Sequence, residues 1–205
     1  MRKLFQILIV ALLLSHVQSV DAQRRVQNFS ISNNATSLPV TGYPVLFYAN
    51  FHPGADWQFQ KSINQSETNR LNYVLNGGFI YHRFVQTLLY GSASMMYERK
   101  LSSRLHFNIS LGVGFGNAFS NEAVARLNDQ GEYEAVRRLY HRPQFLILFQ
   151  PGFSYSLSKE KPDGIRLTAN FRTMLQGVFV KQYVPLLPIN SFMLGVTVPF
   201  KTTKP

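Results

Sequence analysis

The chain has no cysteine, which excludes disulfides, thiolate metal sites and a lipid anchor on an N-terminal cysteine. It is short of acid, with 10 Asp and Glu against 21 Lys and Arg, a net charge of +11. Charged residues of both signs reach only 15%, against roughly 25% in ordinary soluble proteins. No apolar run approaches the ~18 residues of a membrane-spanning helix, which argues against a multi-helix membrane protein. The histidines His52, His82, His106 and His141 show no metal-ligand spacing such as HxxxH, so zinc, haem and redox chemistry fall away. What the chain does have is aromatics, 17 Phe and 10 Tyr in 205 residues, too many for a disordered segment. The positive excess alone admits nucleic acid, anionic lipid or lipopolysaccharide as partner.

Arg2 and Lys3 precede an apolar stretch, Leu4 to Leu14, and a more polar segment leads to Val20-Asp21-Ala22. This order of features predicts a secretory signal peptide over 1–22, cleaved near Ala22, ahead of one domain over 23–205. An exported domain without disulfides needs a large core or a closed sheet with no open edge.

Period-two patterning supplies the sheet. Over 105–116 the odd positions Leu105, Phe107, Ile109, Leu111, Val113 and Phe115 are all apolar. The even positions, from His106 and Asn108 to Gly116, are all polar or glycine. A helix would mix the two sets. The same split recurs over 71–82, 144–157, 165–176 and 192–200. Segments 55–63, 86–99 and a short one near 26–32 follow it less cleanly and bring the count to eight. Leu88 and Tyr90 fall on the polar register of 86–99, which leaves the register of that strand open.

Alternation suits a soluble sandwich or lipocalin-like barrel with its apolar face inward. Two features favour the inverse arrangement. The polar face mixes Asn108, Gln150, Arg166, Asn170 and Arg172 with glycines, as a crowded polar lumen requires, and the apolar face is rich in Phe and Tyr near strand ends. The strands also reach the roughly 9–11 residues that cross a tilted bilayer. The expected fold is therefore all-β, an eight-stranded antiparallel up-and-down transmembrane β-barrel. Its outer connections are expected at 33–53, 83–85, 118–142 and 178–189, and its shorter inner turns at 64–70, 100–103 and 158–164.

At the C-terminus, Gly195, Val198 and Phe200 fall where the last strand of an outer-membrane barrel carries the signal read by the barrel-assembly machinery. With the leader, strand count and loop asymmetry, the mature chain resembles small Gram-negative outer-membrane barrels of the OmpA/OmpX/OmpW-like type. Phe51-His52-Pro53-Gly54, Gly131-Glu132-Tyr133 and Arg142-Pro143-Gln144 look similar to a further barrel family, which implies fold and location but no activity. The resemblance implies the outer membrane as location, its lipid, lipopolysaccharide and the assembly machinery as partners, a monomer, and no cofactor. Nucleic acid is excluded by compartment.

Candidate sites follow from that frame. Asp56, Glu98, Arg166 and Arg172 point into the lumen, where buried charges must pair, so a polar plug is expected rather than a conduction path. Arg137, Arg138, His141 and Arg142 flank the upper membrane edge, where cations can meet lipopolysaccharide phosphates. Some eight-stranded barrels deacylate or acylate lipid A, and the deacylase type carries a His-x-Ser-Asn signature. Here His106-Phe107-Asn108-Ile109-Ser110 lacks that order and lies on the lumen face. A non-enzymatic structural or surface-interaction role leads, ahead of a binding or narrow transport barrel for a small hydrophobic molecule or lipid, and then a lipid A-modifying enzyme. Pro151 within 144–157 calls for a bulge beside Gly152. Residues 37–53 are too apolar for a plain loop and are expected to extend a strand or cover the barrel mouth.

Overall fold

A computed structural model describes residues 25–121, 125–135, 141–160, 163–180 and 184–200. The expected signal peptide and Arg137 and Arg138 lie outside them. Eight long strands alternate up and down: β1 (Arg25–Thr36), β2 (Pro53–Gln65), β3 (Asn69–His82), β4 (Gln86–Lys100), β5 (Leu105–Ser120), β8 (His141–Ser156), β9 (Arg166–Val180) and β10 (Val184–Pro199). Each pairs antiparallel with its sequence neighbour, and β10 pairs with β1 to close the barrel. A short hairpin, β6 (Ala125–Leu127) with β7 (Tyr133–Ala135), stands on the β5–β8 connection, and α1 (Val45–Tyr48) lies between β1 and β2.

The register fixes the shape. Paired residues followed from Val26 run through Gln60, Val74, Ser94, Gly112, Leu148, Met174 and Ile189, and return to β1 at Thr36, a shear of ten residues. With eight strands this tilts each by roughly 40° and gives a radius of roughly 8 Å. The interior is then just wide enough for side chains.

The sheet is polar inside and apolar outside. Asn28, Asp56, Gln58, Asn72, Asn108, Gln150, Asn170 and Arg172 are buried, while Phe29, Ile31, Trp57, Leu75, Leu111, Val113 and Phe153 are exposed. Aromatics gather in a lower belt (Tyr73, Tyr97, Phe153, Tyr155) and an upper one (Phe79, Tyr81, Phe115, Phe145). A closed sheet with this wall satisfies its backbone without water, which is the condition for crossing lipid.

Three expectations need correction and one open point is settled. Residues 178–189 are not a long loop: β9 runs to Val180 and β10 starts at Val184, so two upper connections are long, not three. Pro151 makes no bulge. The β8–β9 pairing skips Gln150 and Pro151, then resumes at Gly152–Asn170 in unshifted register, because one missing ladder bond is tolerated where both flanks stay paired. Strand 86–99 does place Leu88 and Tyr90 inside, both buried, which settles its register. Residues 37–51 lie on the outer wall and do not extend a strand, whereas His52 is buried over the lumen against His82 and Pro53 opens β2.

Candidate functional site

The lumen is filled in layers. At its lower end Arg166 Nη1 donates to Glu98 Oε1 at 3.0 Å and lies 3.2 Å from His106 Nδ1. Arg70 Nη1 also reaches Glu98 Oε1, at 3.3 Å, and its two amino groups grip Asp163 at 2.6 and 3.1 Å. Asp163 belongs to the β8–β9 turn, so this grip closes the barrel from below. Above it, Asn28 donates to Thr168 and Thr197, and Ser62 to Asn72. A cavity between Gln58, Asn108, Gln150 and Asn170 is ≈ 10 Å³, room for about one water.

At mid-height Arg172 binds Asp56 at 2.6 and 3.4 Å, with neither side chain exposed to solvent. Tyr90 and Asn76 donate to the same carboxylate, and the Arg172 guanidinium sits 5.2 Å from the Tyr90 ring centroid. Asp56, Glu98, Arg166 and Arg172 thus sort into two ion pairs, one per layer. The sequence pattern did not reveal Arg70, Tyr90 and Asp163 as partners. Arg70 shares the even register of Asn72, a usable signal; Asp163 sits in a turn, where alternation says nothing. The upper lumen is apolar, with Ile80, Leu88, Ala118, Leu146, Leu148, Met174 and Ile189 in one cluster. Above them Gln86 and Gln176 exchange amide hydrogen bonds across the lumen, and the His52 and His82 rings stack at 3.7 Å. Lone pairs of stacked rings lie in parallel planes and do not converge on one ion, and no group of three metal-binding side chains occurs among the described residues.

His106 and Asn108 are buried in the lumen, and Asn108 lines that small cavity. Of the upper basic group, His141 is exposed and lies 3.3 Å from Asn117 Oδ1, and Arg142 is half-buried. Gly195 admits the close approach of β1, since a Cβ there would stand 2.5 Å from Phe29 O. Phe200 packs edge-on against Phe59 and donates its N–H to Arg25 O at 3.0 Å, so these residues sit at the seam that closes the barrel.

The outer wall is interrupted twice. On β1, β9 and β10 the outward residues Asn33, Thr173 and Asn190 are polar, and the strap 37–52 covers them. Asn190 Nδ2 donates to Ser37 Oγ and Leu38 O at 2.8 Å, Thr173 lies 3.1 Å from the Tyr43 hydroxyl, and Asn33 Nδ2 donates to Leu46 O at 2.7 Å. Tyr43 stacks on Phe171 at 4.9 Å, and Leu46 is buried beneath the strap. Within the strap, the N–H groups of Thr41, Gly42, Tyr43, Val45, Leu46, Phe47 and Ala49 all find carbonyls of the same segment. Its outer surface is apolar, with Leu38, Val40, Phe47, Tyr48 and Phe51 exposed. Backbone N–H groups paired within the segment under an apolar surface suit a lipid environment.

On β2 to β8 the second interruption is a slot of ≈ 790 Å³, floored by Gly77, Gly91 and Ala93 and banked by Trp57 and Leu75 on one side and Phe115 and Phe145 on the other. Gly77 pairs directly with Gly91, and no described residue covers them.

Comparison with solved structures gives the same architecture. Neisserial surface protein A superposes with a TM-score of 0.50 at 13% identity, over 87% of this chain and 97% of that one. Ail of Yersinia pestis gives 0.49 at 9% identity over the same shares. The outer membrane enzyme PagL gives 0.47 at 15%, over 84% of this chain and 99% of that one. No family model and no curated sequence matches the chain. The chain has the fold of small outer-membrane β-barrels. At these identities the likeness is one of fold.

Proposed function

We propose that this protein is a non-enzymatic barrel of a bacterial outer membrane, with a structural or surface-interaction role in the envelope performed by its wall and upper loops. The filled lumen carries this reading. Two ion-pair layers, an apolar layer and the Gln86–Gln176 pair occupy the bore, and a cavity among its polar residues is one water in size. The upper connection 121–140 then offers the contact surface, and His141, with Arg137 and Arg138, suits the phosphates of lipopolysaccharide, while Arg142 shares the lumen register of Ala118. The slot favours a second reading, a barrel that binds lipid from outside.

Planar-bilayer recording tests the first reading. Wild-type protein should give no discrete conductance steps, and the Asp56→Ala/Arg172→Ala variant, with its middle layer emptied, should give small ones. Regular steps from the wild type would make the protein a channel instead.

A further inference from the structure

We propose that the slot over Gly77 and Gly91 is a binding site for one acyl chain of an anionic, phosphate-bearing membrane lipid, with Arg83 as the headgroup contact. This rests on the reading of the wall as membrane-embedded and goes beyond it by naming a site and its ligand.

The first observation is steric. Most barrel glycines are required by their neighbours: a Cβ on Gly112 would stand 2.1 Å from Ser94 Oγ, on Gly114 2.5 Å from Gly91 O, and on Gly152 1.8 Å from Asn170 Oδ1. Gly77 and Gly91 are different. Their nearest described atoms would be 3.9 and 3.8 Å away, both backbone oxygens, so a side chain fits without strain. The barrel does not need these two glycines, and leaving both side chains off opens a channel between Trp57 and Phe115.

The second observation is shape. The slot's floor lies on β3 and β4 between banks on β2 and on β5 and β8, one cross-strand row that measures roughly 19 Å from bank to bank at ~4.8 Å per strand. Because the strands tilt by roughly 40°, this row rises about 12 Å along the wall. That rise takes a middle segment of one acyl chain passing obliquely across the wall. A second barrel is a poorer occupant, since two convex walls touch along one narrow strip and not across five strands.

The third is charge. Gly77 and Gly91 face each other on the hairpin of β3 and β4, and its three-residue turn carries Arg83 at the upper end. Arg83 is exposed, lies 5.3 Å from the Phe84 ring centroid, and has no carboxylate partner among the described residues. Each slot glycine lies five residues below the end of its strand, about 13 Å at a rise of ~3.3 Å per residue and a tilt of roughly 40°. An amphiphile with its chain in the slot places its phosphate near the hairpin tip.

Trp57 is the sole tryptophan of the chain and stands on the bank of the slot, its indole donating to Gln27 Oε1 at 3.1 Å. It therefore reports occupancy directly. The full barrel would be reconstituted in phosphatidylcholine vesicles with a fixed fraction of phosphatidylglycerol, with mid-chain bromines on one lipid or the other. At equal mole fraction, brominated phosphatidylglycerol should quench Trp57 at least twofold more than brominated phosphatidylcholine. Arg83→Gln should equalise the two while quenching persists. Gly77→Leu/Gly91→Leu should abolish the preference, and the shift of its unboiled band on a detergent gel would certify that it folds. Equal quenching by both lipids in the wild type, or a preference that survives the leucine variant, overturns the site. An unquenched Trp57 with cross-linked dimers assigns the slot to a second copy and also overturns it. Absence of the gel shift together with failure to float with vesicles would strike the membrane reading instead, so the two failures are distinguishable.

Discussion

The strap side and the slot side of the barrel break the same rule in opposite ways. A lipid-facing wall should be apolar and evenly filled. On β1, β9 and β10 it fails in polarity, at Asn33, Thr173 and Asn190; on β3 and β4 it fails in volume, at Gly77 and Gly91. The polar fault is covered by the chain itself, with a strap that uses each exposed polar atom as an anchor. The volume fault is left open by every described residue. The contrast is energetic. An unpaired polar group in hydrocarbon costs several kcal/mol, so it demands a permanent intramolecular partner. A groove in a lipid-facing wall costs far less, because lipid itself flows in. The first fault builds structure; the second leaves room for a ligand.

Removing the strap is the harshest way to break this comparison. Asn34 N–H donates to His52 O at 3.0 Å, so the ends of the segment already stand at hairpin distance and a two-residue Asn-Gly turn can replace 37–49, with Thr36 opposite Asn50 in the β1–β2 register. The replacement should lower stability in vesicles by about 4–8 kcal/mol, since three outward polar groups lose their partners at roughly 2 kcal/mol or more each. Measured by urea unfolding, most of that loss should return when Asn33, Thr173 and Asn190 are all changed to leucine. A strapless barrel as stable as the wild type would mean that these residues need no cover. A milder version is Asn190→Leu alone, which removes the anchors to Ser37 and Leu38. It should cost about 1–3 kcal/mol and expose the strap to protease while the barrel stays folded.

The two faults were unequally legible in the sequence. Alternation identified the strands and the inversion of polarity because lumen and lipid impose opposite demands on successive residues along most of each strand. It blurred over 86–99, where Leu88 and Tyr90 enter an apolar upper lumen and the two faces ask for similar side chains. It also failed near the strand tops. There Pro185 and Pro188 read as loop, yet β10 runs through both to its pairing with β9. The strap is a tertiary contact between segments more than 120 residues apart, which local periodicity cannot register. Of the lumen charges, Asp56, Glu98, Arg166 and Arg172 could be placed by register alone, but which acid meets which base depends on the shear, and shear is not written in any one strand. The slot glycines were visible only as two among the thirteen glycines of the chain. What sets them apart is the emptiness above them.

That emptiness gives the smallest and sharpest effect. Gly114 and Gly91 are close neighbours in the wall, yet a Cβ on Gly114 would point inward and stand 2.5 Å from Gly91 O and 2.7 Å from Ser92 Cβ. Gly114→Ala should therefore cost about 1–3 kcal/mol, as overpacking does. Gly77→Ala meets nothing closer than 3.9 Å and should stay within about 0.5 kcal/mol of the wild type, with a slight gain possible from a stiffer unfolded chain. Paired urea titrations in one lipid decide it. If both alanines destabilise alike, Gly77 is a structural glycine like the rest, and the slot is a by-product of packing. If only Gly114→Ala does, the barrel has kept two side chains off its wall where its own stability did not require it, and the reason for that lies in what occupies the space outside.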